Sequence, residues 1–282
     1  MRVGLGSVDS KLKSRILTGV VLAPLAVAAV FLLHNVPFAI LFWVITALAM
    51  YEWAGMLVSE EGGANRVIPI AYLLLFALGA VPLYLLPSLQ LPTIFLGLAL
   101  WVAALLVLRF HGHGFNPFSS KPALAVTGLV FGWAGWLAIT LIQALPSGHW
   151  WILYVFGICW GADIGAYFSG KRFGKTKLAP SISPGKTWEG VLGGLALAGL
   201  VCGLAVFAWQ ENRWLWLLIT LVLIGLSVCG DLFESFVKRQ TGVKDSGTLL
   251  PGHGGVLDRI DSILIVLPIL ALLLLQFRLG SL

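Results

Sequence analysis

The sequence predicts an all-α, polytopic integral membrane protein of about nine transmembrane helices, with the N-terminus in the cytoplasm and the C-terminus outside. Three observations predict it. The 282 residues are 59% hydrophobic and 11% charged, with a mean hydropathy of +0.96, whereas soluble domains carry about 25% charged residues. The apolar residues fall into nine runs separated by charge and turn clusters. The basic residues sit almost entirely in one of the two alternating sets of connections. At about 20 residues per crossing, such a chain is a single membrane domain over 1–282. Its leading spans occupy 1–120 and its polar connections are concentrated in 121–282.

The runs, in order, cover 15–34, 37–58, 67–86, 91–109, 123–145, 150–170, 189–209, 213–234 and 262–278. The short connectors HNVP, LPSLQLP and LPSGH, rich in turn formers, separate several of them. With nine spans, all of the 18 Lys and Arg residues except Arg213 and Arg278 fall on one face. That asymmetry places this face in the cytoplasm, and an added or missed span would scramble it. The two longest connections, 171–188 and 235–261, share that face. The net charge of +6 is therefore topological and does not indicate nucleic acid. Its second use is attraction of anionic lipid headgroups. Cys159, Cys202 and Cys229 all lie in apolar runs, which excludes a disulfide framework. The first apolar run is not followed by a small-residue cleavage site, so no cleavable leader is expected.

Chemistry concentrates at the cytoplasmic end of the eighth run. Asp231, Glu234, Ser235 and Lys238 are spaced i, i+3, i+4 and i+7, which puts them on one helical face. Glu234 and Lys238 form an i, i+4 pair that a plain interfacial helix end would also use. Asp231 has no basic residue within four positions and follows an apolar stretch, where an acid is costly and points to function. Downstream, Gly252, Gly254 and Gly255 surround His253 and allow backbone N–H groups to approach an anion. Asp258 and Asp261 follow at i, i+3 on either side of Arg259. Capping of a helix N-terminus accounts for one of these two acids. With Asp231 they form the oxygen-rich set that Mg2+ favours alongside substrate phosphates.

A third cluster covers 161–190. Asp163 is an acid inside the sixth run, and Lys171, Arg172, Lys175, Lys177 and Lys186 follow among glycines and hydroxyls. Gly-Lys-Thr occurs at 174–176 and again at 185–187. Neither fits G-x-x-x-x-G-K-[ST], because positions 169 and 180 are Ser and Pro, so this is no P-loop. His111 and His113 lack acidic or thiol companions and read as a solvated loop. Carboxylates, cations and glycine turns on one membrane face are the equipment of metal-assisted phosphoryl or nucleotidyl transfer, with a lipid as acceptor.

Ser235–Arg239, Lys244-Asp245-Ser246-Gly247 and Leu250–Asp261 together resemble the signature of the phosphatidate cytidylyltransferase (CDP-diacylglycerol synthase) family. Ser181–Gly190 resembles that family's second loop. The likeness lies in the C-terminal half, and the first 120 residues share only hydropathy and the Tyr51-Glu52-Trp53 element. The resemblance implies conversion of CTP and phosphatidic acid to CDP-diacylglycerol and pyrophosphate. It also implies Mg2+ dependence, a second, monovalent ion such as K+, a homodimer and a bacterial inner membrane. By the same resemblance Asp231, Asp258 and Asp261 become metal ligands. Lys238, Arg239, Lys244 and Arg259 become phosphate contacts, and Ser183, Lys186 and Thr187 nucleotide contacts. Ser235, His253, Gly254 and Gly255 join the substrate site, with Asp163, Glu189, Glu234 and Asp245 in support. A CDP-alcohol phosphotransferase would carry D-G-x2-A-R-x8-G-x3-D-x3-D, which is absent. A transporter would spread its acids along a path across several spans, whereas these cluster at one face.

Overall fold

A computed structural model describes residues 5–58, 67–209, 212–247, 249 and 254–276, with side chains from residue 19 onward. Among these residues there are nine helices. They are α1 (Leu5–Leu32), α2 (Asn35–Val58), α3 (Val67–Leu85), α4 (Pro87–Arg109), α5 (Lys121–Ala144), α6 (Gly148–Phe173), α7 (Trp188–Trp209), α8 (Arg213–Gln240) and α9 (Leu257–Gln276). Seven of them, α2 to α8, are long and apolar enough to cross a membrane, and α1 adds a shorter apolar stretch over Gly19–Leu32. The protein is an all-α polytopic membrane protein with one small addition. Between α6 and α7 the chain forms an antiparallel hairpin of β1 (Lys177–Ala179) and β2 (Ser183–Thr187). The spacing of Pro180, Pro184 and Gly185 reads as loop, and the hairpin was not expected.

Local chemistry sets several boundaries. Pro87 opens α4, where its missing N–H costs nothing. Ser120 caps α5 by accepting a hydrogen bond from the Ala123 N–H. Three helices run well past what hydropathy predicts: α1 begins at Leu5 where the run was expected from 15, and two more extend at the candidate site. The eighth run was expected to stop at 234, but α8 continues to Gln240. The ninth was expected from 262, but α9 begins at Leu257. Both extensions are polar, so hydropathy misses them, while the i, i+3, i+4 spacing of Asp231, Glu234, Ser235 and Lys238 suits a continuing helix. The catalytic candidates therefore sit largely on rigid helix ends and not on a long loop.

The core is built on α5, where 72% of the apolar window is buried, against 22–44% for the other six candidate spans. α9 lies against α5 and α8, and α2 packs on α5 and also touches α9. Tryptophans tie these helices together with indole N–H donors. Trp53 donates to the Leu124 carbonyl (3.0 Å), Trp101 to Leu264 (3.2 Å), Trp133 to Phe76 (3.0 Å) and Trp136 to Ala39 (2.9 Å). In an apolar medium such groups have no water to turn to, so each bond orients a helix pair. Trp101 stacks on Phe131 at 4.1 Å, and Phe233 meets both rings edge-on. α6 and α7 approach through small residues. A Cβ on Gly165 would overlap the Gly193 carbonyl and crowd the Gly194 backbone at 2.9 Å, so glycine is required for that contact. Outward-facing Leu74, Leu78, Leu200 and Leu218 are more than half exposed, as a lipid-facing surface requires.

Candidate active site at the ends of α8 and α9

The last turns of α8 and the first turns of α9 meet because residue 230 is glycine. A Cβ there would lie 2.9 Å from the Asp261 carbonyl oxygen and 3.0 Å from the Ile265 side chain. This close approach brings together Asp231 and Glu234 of α8 and Asp261 of α9. One carboxylate oxygen from each lies within 4.8 Å of the others. Glu234 is 3% exposed, and its Oε1 is buried with no hydrogen-bond partner among the described residues. An orphaned buried acceptor costs about 1–3 kcal/mol, which a cation at that point would offset.

Lys238, one turn beyond Glu234, is shared. Its Nζ donates to Glu234 Oε2 at 3.0 Å and to Asp258 Oδ1 at 2.7 Å. Asp258 is engaged on its other oxygen too, where Oδ2 accepts from the Gly255 N–H (2.8 Å) and the Ser246 N–H (3.4 Å). Gly254 has φ +81°, in the left-handed region, and a Cβ there would lie 2.7 Å from Asp258 Oδ2. Glycine is needed on both counts. Asp258 therefore works as the knot of this loop, paired with one lysine and two backbone amides. Among the described residues it is Glu234 that clusters with Asp231 and Asp261, while Asp258, the third acid named from the sequence, is bound to Lys238.

The hairpin closes the site from the side. Lys186 of β2 places Nζ 2.5 Å from Asp231 Oδ2. Arg239 of α8 donates from Nε to the Ile182 carbonyl at 3.2 Å, holding the hairpin turn against the helix. Glu189, in the first turn of α7, accepts from the Lys175 and Thr176 N–H groups, both at 3.1 Å, and pins the hairpin's entry strand. Thr187 is buried and its Oγ1 accepts from the Gly190 N–H at 3.1 Å, capping α7. Ser183 starts β2 opposite Ala179. Asp163, exposed on α6, is near enough to interact through its charge with Asp231, Lys186 and Arg259. Ser235 is buried on α8, Arg259 is exposed between the two α9 aspartates, and Lys244 and Asp245 are exposed in the turn after α8. His253 lies outside the described residues.

Glu52 of α2 was not among the candidates, although it sits in the Tyr51-Glu52-Trp53 element. It is 3% exposed and accepts from the Leu257 N–H at 2.9 Å. The signal was present. It is an acid inside an apolar run, the same feature that marked Asp163 and Asp231.

Three carboxylates without imidazole or thiolate in the set suit a hard divalent cation such as Mg2+ over zinc. Two lysines flank the set, Lys186 on Asp231 and Lys238 on Glu234. Residues 13–277 match the model of the cytidylyltransferase family. A Pseudomonas aeruginosa protein named phosphatidate cytidylyltransferase is 41% identical over 266 residues, covering 93% of this chain and 97% of its own. One of the same name from Brucella suis is 38% identical, covering 90% of each chain. Another from Staphylococcus aureus is 50% identical over 137 residues, covering 48% of this chain and 52% of its own.

Proposed function

Because this chain belongs to the cytidylyltransferase family, we propose that it transfers the cytidylyl group of CTP to phosphatidic acid, giving CDP-diacylglycerol and pyrophosphate. The observation that carries the reading is the meeting of Asp231, Glu234 and Asp261, with a buried unpaired oxygen, at the polar ends of α8 and α9. These three residues would hold Mg2+, which supplies charge neutralisation on phosphate oxygens when bound.

A phosphatidate oxygen attacks the α-phosphorus of CTP, the new P–O bond forms, and pyrophosphate leaves with the electron pair of the bond that breaks. A phosphate monoester with a second pKa of about 6 is already nucleophilic at neutral pH, so no strong general base is needed. Lys186, tethered to Asp231 at rest, swings onto the triphosphate as charge builds on the leaving pyrophosphate. Lys238 keeps Glu234 and Asp258 in place from the opposite side. Ser183 and the exposed Lys175 and Lys177 would lie on the nucleotide side. On this reading the hairpin side of the site would meet CTP from the water, and the lipid headgroup would reach the carboxylates from the bilayer.

The purified protein in detergent is expected to form liponucleotide from CTP and phosphatidate only with a divalent cation. Turnover undiminished by chelator would contradict the reading. The positive-inside asymmetry further supports nine spans, a cytoplasmic site and an inner-membrane location. A reporter fused at the C-terminus should read as extracytoplasmic, and a cytoplasmic signal would rule out that topology.

A further inference from the structure

Glu52 is a carboxylate three-quarters of the way along a membrane helix, where an ionisable group is expensive, and the proposed chemistry makes no use of it. Its contacts come from about 200 residues away and from both ends of one loop. Oε2 accepts from the Leu257 N–H at 2.9 Å and from the Ser246 hydroxyl at 3.5 Å. A Cβ on Gly247 or on Gly255 would strike its carboxylate, so both stretches of backbone close directly onto it. Leu257 is the first residue of α9, and the first N–H groups of a helix have no partner within it. Glu52 therefore caps α9 from another helix, and its negative charge suits that N-terminus. Asp258 ties the same two stretches together through Gly255 and Ser246.

We propose that Glu52 is a positioning residue for the transfer reaction. Its carboxylate holds Ser246, Gly247, Gly255 and the first turn of α9 where Asp261 lies against Asp231 and Glu234, and Asp258 against Lys238. This rests on the function proposed above. It adds a part of the protein, α2, that lies outside the signature segments and is not among the three clustered carboxylates.

The test compares Glu52→Ala, Glu52→Gln and wild type on two readouts. The first is hydrogen exchange over residues 254–260 in protein stripped of metal. The second is kcat, KM for CTP and the Mg2+ concentration giving half-maximal turnover. Loss of a charge-assisted bond to Leu257 should speed exchange by about tenfold or more in Glu52→Ala. Turnover should fall by about tenfold to a hundredfold, as when a supporting group behind a metal site is removed. The Mg2+ requirement should rise, with little change in KM for CTP. Glu52→Gln keeps an oxygen for the Leu257 N–H and should recover most of both. Glu52→Asp, which withdraws the carboxylate by one methylene, carries the same readouts if the alanine protein does not fold, and should fall between wild type and that loss. Wild-type exchange and Mg2+ requirement in Glu52→Ala, or in Glu52→Asp in its place, would overturn the proposal. So would a Glu52→Gln protein as inactive as Glu52→Ala with undisturbed exchange, since that would give the charge a direct chemical role. A wild-type protein that makes no liponucleotide would sink the proposed function, while the exchange readout would still decide whether Glu52 holds the loop.

Discussion

Asp261→Asn is expected to leave the protein folded and to lower turnover by about a thousandfold. The substitution is isosteric, and the amide oxygen still accepts the Ser262 N–H that Asp261 Oδ1 now accepts at 2.6 Å. What it removes is one of three negative charges converging on a common point. A cation there is worth several kcal/mol to the transition state, and about 4 kcal/mol corresponds to a thousandfold. Asp231→Asn and Glu234→Gln should resemble it, and raising Mg2+ should restore part of their activity. Asp258→Asn should behave differently. Its oxygens are engaged by Lys238 and two backbone amides, so added Mg2+ should not compensate. Kinetics across a Mg2+ titration check the whole set. If Asp258→Asn were the variant rescued by metal and Glu234→Gln were indifferent, the ligand set would be Asp231, Asp258 and Asp261.

Lys238→Ala should be the most destabilising change in the site. The lysine side chain is 11% exposed and bridges Glu234 and Asp258, which are 4% and 14% exposed. Removing it leaves two shielded carboxylates without their cation, close to two more at Asp231 and Asp261. Breaking a buried pair from one side costs about 3–5 kcal/mol. Thermal unfolding in detergent should shift down by roughly 10 °C, with turnover lost as well. Lys238→Arg keeps the charge and should recover most of the stability. Its planar guanidinium does not reproduce an ammonium seated between two acids, so turnover should stay low. An alanine variant with wild-type unfolding would mean that the lysine is not the keystone of this cluster.

These expectations show where the sequence was legible. The charged face of α8 followed from spacing alone, because i, i+3, i+4, i+7 periodicity is a property of the helix itself. The apolar runs located the helices to within a few residues, except where polar turns began α1 at Leu5, extended α8 to Gln240 and began α9 at Leu257. The hairpin was invisible, because Ser183-Pro184-Gly185-Lys186-Thr187 has the composition of a turn. It is placed by tertiary bonds from Arg239 and Glu189. That Glu234 clusters with Asp231 and Asp261 was also beyond reach. Which acid lies nearest Asp231 and Asp261 depends on how closely α8 and α9 approach at Gly230, a quantity that no spacing within either helix contains. Glu52 was missed for a different reason. Its cost in an apolar run was readable, but its partners at Ser246 and Leu257 are separated from it by almost the whole chain.

The position of the label after turnover tests the central claim most directly. Protein reconstituted with phosphatidate and Mg2+ should be given CTP radiolabelled at the α-phosphorus and, separately, at the γ-phosphorus. Cytidylyl transfer predicts that the α label appears in the lipid and that the γ label leaves as pyrophosphate. Lipid carrying the γ label, or no labelled lipid with either nucleotide, would contradict it.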